Sequence, residues 1–329
     1  MKIITDLHAL KSNPRKRVVL AIGNFDGFHR GHRKLIRYVT AQAGKRSALS
    51  AVLTFRNHPQ RVLRPEQKRK LIYSIGQKLF HLAGAKVDLC FIPSFTPSFS
   101  RMSPEVFVKK ILVEKLRVLE VCMGYDARFG YRRCGDADVM KRLAAENGFL
   151  FKQMRPVMAG RKPVSSSMVR QLLSRGELEK IRQCFGRPFS LLGRVVRGKG
   201  HGTHLGCPTA NLEVHADIQI PPGVYIASAR FLPGARLTAD KFFKLPGKMS
   251  EWHAGVANFG KRPTYPASET PRPVLEMHLF DFKGNVYGET MEIALHKFIR
   301  AEERFSSEEA LKTRIFRDIE KARSWHQTH

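Results

Sequence analysis

Residues 18–32 read Val-Val-Leu-Ala-Ile-Gly-Asn-Phe-Asp-Gly-Phe-His-Arg-Gly-His. The first five residues are apolar and mostly β-branched, which predicts a short buried strand. Segment 24–27 has turn chemistry, and the apolar spacing after Gly31 predicts a helix. A strand, a turn and a helix start direct backbone N–H groups and the positive end of the helix dipole at one point. This arrangement suits a phosphate.

Two histidines three residues apart, His29 and His32, are predicted to share one face of that helix start. Each can donate a hydrogen bond to a phosphate oxygen, and Gly31 leaves room between them for a nucleotide. An isolated pair at this spacing is more often two surface histidines, but the preceding strand and turn favour a nucleotide site. Asp26 can form the turn itself, bind the ligand, or do both.

The H-x-G-H spacing resembles the signature of the nucleotidyltransferase superfamily, whose histidines steady the α- and β-phosphates of ATP. The longer string over 23–32 is similar to that of the bacterial bifunctional riboflavin kinase/FAD synthetase family. This resemblance implies catalytic roles for His29 and His32. It also implies ATP or flavin binding by the turn residues and the intervening glycine, namely Gly23, Asn24, Phe25, Asp26 and Gly31.

Length and composition bound the class of protein. The 329 residues are enough for about two domains, and 43% are hydrophobic. There is no long apolar run and no signal-peptide core at the start, so we expect a cytoplasmic protein without a membrane partner. The five cysteines are odd in number and form no C-x-x-C pair, which disfavours a disulfide framework or a zinc site.

The formal net charge of +30 favours anionic partners such as nucleotides or nucleic acid. The basic residues are spread along the chain and form only short clusters, such as those at 15–17 and 68–70. We therefore expect a solvated basic surface and no dedicated nucleic-acid partner.

Strands and helices alternate through the first half, which predicts an α/β, Rossmann-like domain with a parallel sheet. Beyond 18–22, strands are predicted at 48–55, 87–92, 118–123 and 149–153, and helices at 76–83, from Ser103, and at 136–146. Ligands bind such sheets at the carboxyl ends of the strands. The polar segments 24–32, 58–59 and 124–126 all follow strand ends.

Two of these segments extend the resemblance. Residues 53–59 are similar to the family's L-T-F-x-x-H-P string, with Pro59 expected to keep the loop out of a helix. Residues 124–130 resemble its G-x-D-F-x-F-G string, which implies nucleotide or flavin contacts for His58, Asp126 and Phe129. Ala127 replaces the first phenylalanine of that string, which puts one flavin or adenine contact in doubt.

Three consecutive serines, Ser165, Ser166 and Ser167, precede a helical stretch that carries Arg170. Serines there can cap the helix and present hydroxyl and N–H groups to a phosphate. Alone, this would be an ordinary cap beside an exposed arginine. After an H-x-G-H domain it resembles the family's S-S-[ST]-x-x-R motif, which implies that the arginine binds the departing pyrophosphate.

The predicted secondary-structure pattern changes near residue 186, where a short helix ends at Gly186 and Pro188 prevents its continuation. We predict one domain over 1–186 and a second over 187–329. Short alternating strands with glycine and proline turns predict a small antiparallel β-barrel there. A terminal helix from Ser307 to about Ser324 follows.

The second domain carries another candidate phosphate site at 198–211, whose glycines permit a flexible flap. Its Pro-Thr-Ala-Asn end resembles the riboflavin kinase signature, which implies that Thr209 and Asn211 hold Mg²⁺ and the phosphates of ATP. Glu276 matches the family's catalytic base. The same resemblance implies ligand contacts for the glycines, the proline and an arginine, namely Gly198, Gly202, Gly206, Pro208 and Arg300.

The resemblance implies two reactions, riboflavin to FMN and FMN to FAD, with ATP as co-substrate and Mg²⁺ as cofactor. One alternative is a tRNA-ligase-like nucleotidyltransferase, in which an H-x-G-H-type motif partners a K-M-S-K-S loop, since Lys248-Met249-Ser250 matches the first three residues of that loop. Glu251 follows it, and the segment 231–252 matches nothing in the family. The other alternative is a basic nucleic-acid-binding protein without flavin turnover.

Overall fold

The computed structural model describes residues 1–7, 16–67, 70–198, 201–214, 218, 220–235, 248–262 and 272–329. The chain divides into two compact units. The α/β unit comprises Met1–Arg69 and Lys78–Ser165. The barrel unit comprises Lys70–Gln77 and Ser166–His329.

The α/β unit is built on a six-stranded sheet in the order β1-β4-β3-β2-β5-β6, with every neighbouring pair parallel. Its strands are β1 (Lys2–Ile4), β2 (Val18–Ile22), β3 (Leu49–Leu53), β4 (Leu89–Phe91), β5 (Val118–Gly124) and β6 (Leu150–Met154). The parallel sheet confirms the predicted fold class. The edge strand β1 was not predicted, because three residues are too short to display a period. A hairpin of β7 (Met158–Ala159) and β8 (Lys162–Pro163) follows.

Helices connect these strands and cover the sheet. They are α1 (Arg30–Lys45), α2 (Pro59–Leu63), α3 (Ile75–Gly84), α4 (Pro97–Ser100), α5 (Pro104–Val106) and α6 (Ala137–Glu146). A π-helical segment, Phe107–Lys115, continues α5, and Tyr131–Arg133 form a 3₁₀ turn. Ser103 caps α5 as predicted. The prediction for Pro59 was wrong in part: its fixed φ suits the first helical position, so it begins α2.

The barrel unit contains a closed barrel in the order β10-β13-β12-β11-β14-β9, with antiparallel neighbours. Its strands are β9 (Phe189–Val196), β10 (Ala210–Glu213), β11 (Gly223–Phe231), β12 (His253–Arg262), β13 (Arg272–Leu279) and β14 (Thr290–Arg300). The helices of the unit are α7 (Ser166–Ser174), α8 (Leu178–Phe185), α9 (His201–His204) and α10 (Glu308–Thr328). This confirms the predicted barrel and terminal helix.

The compact units separate at Ser165, ahead of the domain boundary predicted at residue 186. Helix α8 ends at Gly186, whose φ of 63° suits glycine, as the sequence predicted. Its buried residues, including Ile181 and Phe185, pack the helix against β9 and β14. The assignment of 1–186 to one activity and 187–329 to the other stays a prediction.

The structure also shows the setting of the cysteines, the character of the helices and the contacts of the Lys-Met-Ser string. None of the five cysteines, all of which lie in the described part of the chain, forms a disulfide, and four of them are buried. Within the described part of the chain, no helix has both the length and the apolar character needed to cross a membrane. Ser250, the last residue of the K-M-S string, pairs with Phe231: its backbone N–H donates to the Phe231 carbonyl, and its hydroxyl accepts from the Phe231 N–H. Much of the unmatched segment 231–252 lies outside the described residues.

Candidate active sites

The turn between β2 and α1 is held in a strained backbone conformation. Phe25 has a φ of 48° and Phe28 a φ of 43°, values that non-glycine residues rarely adopt, and Gly27 has a φ of 89°. The Phe25 side chain is fully buried and Asp26 is 2% exposed. Such strain persists only where the surrounding structure fixes it, and it concentrates at functional sites.

Two hydrogen bonds attach this turn to the carboxyl end of β3 and to the residue after it. The Gly23 N–H donates to the Leu53 carbonyl at 3.1 Å. The hydroxyl of Thr54 donates to the Asn24 carbonyl at 3.1 Å. The turn that begins at Gly23 is therefore fixed at the carboxyl edge of the sheet, where ligands of parallel sheets bind.

The two histidines come together at the start of α1, as predicted. Their ring centroids lie 3.7 Å apart with an interplanar angle of 20°. His29 caps the helix, and its Nδ1 accepts from the His32 backbone N–H at 3.4 Å. A Cβ on Gly31 would lie 3.1 Å from the His29 ring, so glycine permits this stacking.

Both imidazoles are neutral at pH 7. Burial lowers the pKa of His29 to about 4, and the nearby Asp26 carboxylate opposes the shift. The pKa of His32 is also lowered, by burial and then by His29 and Lys78. Because Nδ1 of neutral His29 accepts a hydrogen bond, its proton resides on Nε2. Nδ1 of His32 is buried without a hydrogen-bond partner among the described residues.

Three other predicted residues of this unit lie in different settings. His58 caps α2, its Nδ1 accepting from the Gln60 N–H at 3.2 Å. Asp126 is exposed in the turn after β5. Phe129 is 9% exposed and packs in the core 5.7 Å from the Phe107 ring. The binding roles of these three residues stay predictions.

The serine string spans the division between the units. Ser165 ends the α/β unit, while Ser166, Ser167 and Arg170 belong to α7 of the barrel unit. The Arg170 Nε donates to the Lys70 carbonyl at 2.9 Å. Their predicted phosphate contacts stay predictions.

In the barrel unit, strand register brings together residues that are far apart in sequence. Asn211 of β10 lies directly opposite Glu276 of β13, and Glu276 lies opposite Asn258 of β12. The next partners in this row are Val224 and Arg300. Directly opposed residues of neighbouring antiparallel strands have Cβ atoms about 5 Å apart. The predicted base and the predicted metal ligand are thus neighbours on one face.

The glycine-rich segment lies against the same residues. A Cβ on Gly198 would overlap the Asn211 amide nitrogen and lie 2.8 Å from its Cγ. A Cβ on Gly202 would lie 2.5 Å from the Cys207 carbonyl and 3.1 Å from the Thr209 hydroxyl. These two glycines therefore allow the segment to approach Thr209 and Asn211 closely.

The remaining predicted residues flank this segment. Gly206 has a φ of 79°, which suits glycine. His278 Nδ1 lies 2.9 Å from the Pro208 carbonyl and donates to it, which ties the segment to β13. Arg300 is engaged elsewhere, because its Nε donates to Asp318 at 2.8 Å and so joins β14 to α10. Its predicted ligand contact stays a prediction.

Comparison with known proteins gives the two units separate matches. The FAD synthetase family model matches residues 11–168, and the riboflavin kinase family model matches residues 185–326. A bifunctional riboflavin kinase/FMN adenylyltransferase of Escherichia coli K12 is 34% identical over 99% of this chain and 98% of its own length. The chain belongs to the bifunctional riboflavin kinase/FMN adenylyltransferase family.

Other members of this family are similarly distant. The Buchnera aphidicola protein from Schizaphis graminum is 34% identical over 97% of both chains. The Haemophilus influenzae protein is 30% identical over 99% of both. A crystal structure titled macrolide-efflux protein, from Streptococcus pneumoniae, superposes with a TM-score of 0.80 at 23% identity, covering 98% of this chain and 99% of that one. At that identity it supports the fold alone.

One residue near the histidine pair of this family member was missed by sequence reasoning. The Lys78 Nζ lies 3.4 Å from both the Thr54 hydroxyl and the Phe55 carbonyl, at the carboxyl end of β3. Burial lowers its pKa, while Asp26 and then Cys90 oppose that shift. In the sequence Lys78 is a single lysine within an apolar helical stretch, which gave no signal for a buried charge.

Proposed function

We propose that this chain catalyses two successive transfers from ATP. The barrel unit phosphorylates riboflavin to FMN, and the α/β unit transfers AMP to FMN, giving FAD and pyrophosphate. The observation that carries the proposal is the order of the two family matches, each of which covers a unit with its own candidate phosphate site. The division of labour follows the predicted domains, 1–186 and 187–329.

In the adenylyl transfer, a phosphate oxygen of FMN attacks the α-phosphorus of ATP and pyrophosphate departs. This displacement needs no protein nucleophile, so the protein acts by positioning and electrostatic stabilisation. His29 and His32 donate N–H groups to the α- and β-phosphates, next to the positive end of the α1 dipole. The serines at 165–167 and Arg170 receive the pyrophosphate.

Neutral histidines suit this role. A buried imidazolium is destabilised by the desolvation of its charge, whereas a neutral imidazole avoids that penalty and still donates a hydrogen bond from a fixed position. The stacked rings, and the absence of a Cβ at Gly31 that would crowd the His29 ring, support a pre-set geometry at this end of α1. Preorganised donors of this type stabilise a transition state without reorganising at the moment of reaction.

In the phosphoryl transfer, Glu276 accepts the proton of the primary hydroxyl of riboflavin as oxygen attacks the γ-phosphorus. ADP leaves. Gly198 and residues 201–208 lie over the phosphates. The adjacent register of Glu276 and Asn211 supports this assignment, because proton acceptor and phosphate-binding groups must act on the same molecule.

The donor set near Asn211 fits Mg²⁺. The Thr209 hydroxyl and the Asn211 amide offer oxygen atoms, and the close approach of two glycines leaves a cradle that a Cβ would fill. Among the described residues no group of three His, Cys, Asp or Glu side chains could hold a metal by itself. We propose that Mg²⁺ is bound jointly with the nucleotide, where it offsets phosphate charge.

The partners of the chain are then riboflavin, FMN, FAD and ATP. We propose a cytoplasmic location, because five free cysteines suit a reducing compartment. We propose no nucleic-acid partner, and binding to RNA that is salt-sensitive and unaccompanied by flavin turnover would favour the alternative.

The test is incubation of the purified protein with riboflavin, ATP and Mg²⁺, followed by separation of the flavins by chromatography. We expect FMN first and FAD later, and FAD from supplied FMN. Omission of ATP is the control. FMN without FAD would contradict the second activity, with Ala127 the first position to examine. No conversion of either flavin would overturn the proposal.

A further inference from the structure

The side chain of Lys78 reaches from α3 into the carboxyl edge of the parallel sheet. Its Nζ lies 3.4 Å from the Thr54 hydroxyl and 3.4 Å from the Phe55 carbonyl. Both acceptors come directly after β3, which is the strand paired with β2. The ammonium group is therefore close to the turn that leads into the histidine pair.

The Thr54 hydroxyl connects Lys78 to that turn. Its single proton is donated to the Asn24 carbonyl at 3.1 Å, so the lone pairs of its oxygen are left to accept from Lys78. Thr54 itself is fully buried. The resulting chain of hydrogen bonds runs from Lys78 through Thr54 to Asn24, and it fixes the backbone just before the strained residue Phe25.

Charge connects Lys78 to the same place a second time. Asp26 is 2% exposed and interacts electrostatically with both Lys78 and His29. Lys78 in turn interacts with His32 and disfavours its protonation. A buried carboxylate needs a compensating charge, because an unpaired one is strongly destabilised away from water. Lys78 supplies a positive charge beside Asp26.

We propose that Lys78 is a positioning residue of the adenylyl-transfer site, which holds the 23–28 turn and the His29–His32 pair in the geometry that the nucleotide phosphates require. The inference rests on the proposed function. Lys78 acts through Thr54 and Asp26 and is not assigned a contact with the substrate. Neither composition nor spacing singled out this lysine; its placement and contacts do.

The variant K78M tests this, because methionine keeps the apolar part of the side chain and removes the ammonium. We expect kcat for FMN adenylylation to fall about a hundredfold, the loss that a small misplacement of reacting groups produces. Riboflavin phosphorylation by the same protein should change less than twofold. K141M, at an exposed position in the middle of α6, is the matched control and should leave both activities unchanged.

Two further measurements separate positioning from a general loss of structure. Titration of the histidine Cε1 protons by NMR should give a higher pKa for His32 in K78M than in the wild type, because a neighbouring positive charge is gone. In K78A, added propylammonium should restore part of the adenylylation rate, while K141A should show no response to the amine.

Several outcomes would overturn the inference. They are an unchanged adenylylation rate in folded K78M, an unchanged His32 pKa, or parallel loss of both activities, which would make Lys78 a residue of general stability. Failure of the proposed function gives a different result: the wild type would then form no FAD from FMN, while the His32 pKa would still rise in K78M.

Discussion

The two candidate sites differ in how the chain builds them. In the α/β unit the turn, its strained residues and the two histidines come from one continuous stretch, 23–32. In the barrel unit, Asn211 and Glu276 come from β10 and β13 and meet only through strand register. The first site depends on local backbone geometry, and the second depends on the pairing of β10 with β13.

Because of this difference, a change in strand register would affect the two sites differently. A shift of one residue in strand register moves every side chain of a strand to the opposite face. Such a shift would separate Asn211 from Glu276, whereas the turn over 23–32 would keep its own geometry. If the two sites are independent, a substitution in one of them should leave the activity of the other unchanged.

The largest effect is expected from Glu276→Gln. Loss of a general base typically costs 10²–10⁴ in rate, so we expect FMN formation to fall about a thousandfold, with FAD formation from supplied FMN unchanged. Flavin chromatography with each substrate measures both. Glu213→Gln, at an exposed acid two positions from Asn211 on β10, is the matched control and should be neutral. Equal loss of both activities in a folded E276Q protein would contradict independent sites.

His32→Ala is the reciprocal change. Removing one preorganised donor costs about 10²–10³ in kcat, so FAD formation should fall by that amount and FMN formation should persist. Steady-state kinetics on the same preparation, with riboflavin and with FMN, give both rates. A loss confined to FMN formation would reverse the assignment of the two units.

The sequence predicted the continuous site at 23–32 of the α/β unit better than the site that the barrel strands assemble from Asn211 and Glu276. The strand, the turn and the histidine pair follow from local patterns, and the structure has them where they were expected. The opposition of Asn211 and Glu276 required knowledge of register, which spacing along one chain does not contain. Lys78 was missed because its burial arises from packing of α3 against segments far away in sequence.

Two predicted residues, Phe129 and Arg300, make contacts within the fold that their motifs did not indicate. Phe129 was assigned to ligand binding by its motif, but its ring packs against Phe107 in the core. Arg300 was assigned by its segment, but its guanidinium pairs with Asp318 at 2.8 Å. A motif match identifies a position, and the contacts that the side chain makes there depend on elements that the motif does not include.

Stability at acid pH should also distinguish the two units, since each holds a histidine whose pKa is lowered by burial: His29 is buried, and His296 is partly buried. Burial lowers the pKa of His29 to about 4, and burial followed by His326 and Arg182 lowers that of His296 to about 4. Between pH 6.5 and 4 the unfolded chain binds a proton at each position that the folded chain does not. Stability should therefore fall as the pH drops through this window and be retained above it.

For His29, a pKa lowered from 6.5 to about 4 corresponds to about 3 kcal/mol. His29→Gln should remove that share of the acid sensitivity from the α/β unit, and His296→Gln should do the same for the barrel unit. Urea unfolding at pH 7 and pH 4.5 measures this. Both tryptophans, Trp252 and Trp325, lie in the barrel unit, so their fluorescence reports that unit, and histidine NMR signals report the other. Identical acid sensitivity in wild type and both variants would contradict the assignment.

The smallest effect is expected from Gly198→Ala, which probes the assembled site alone. The added Cβ would overlap the end of the Asn211 side chain, which can rotate away at little cost to stability. Moving that amide should lower the rate of FMN formation about tenfold, with FAD formation and the urea midpoint unchanged.

Gly202→Ala is the comparison for Gly198→Ala, because its Cβ would meet the Cys207 carbonyl, a backbone atom that cannot rotate away. We expect G202A to lose both FMN formation and barrel stability. If G198A destabilised the barrel as much as G202A, Gly198 would be required for folding of the segment. The loss of FMN formation could then not be assigned to displacement of the Asn211 amide.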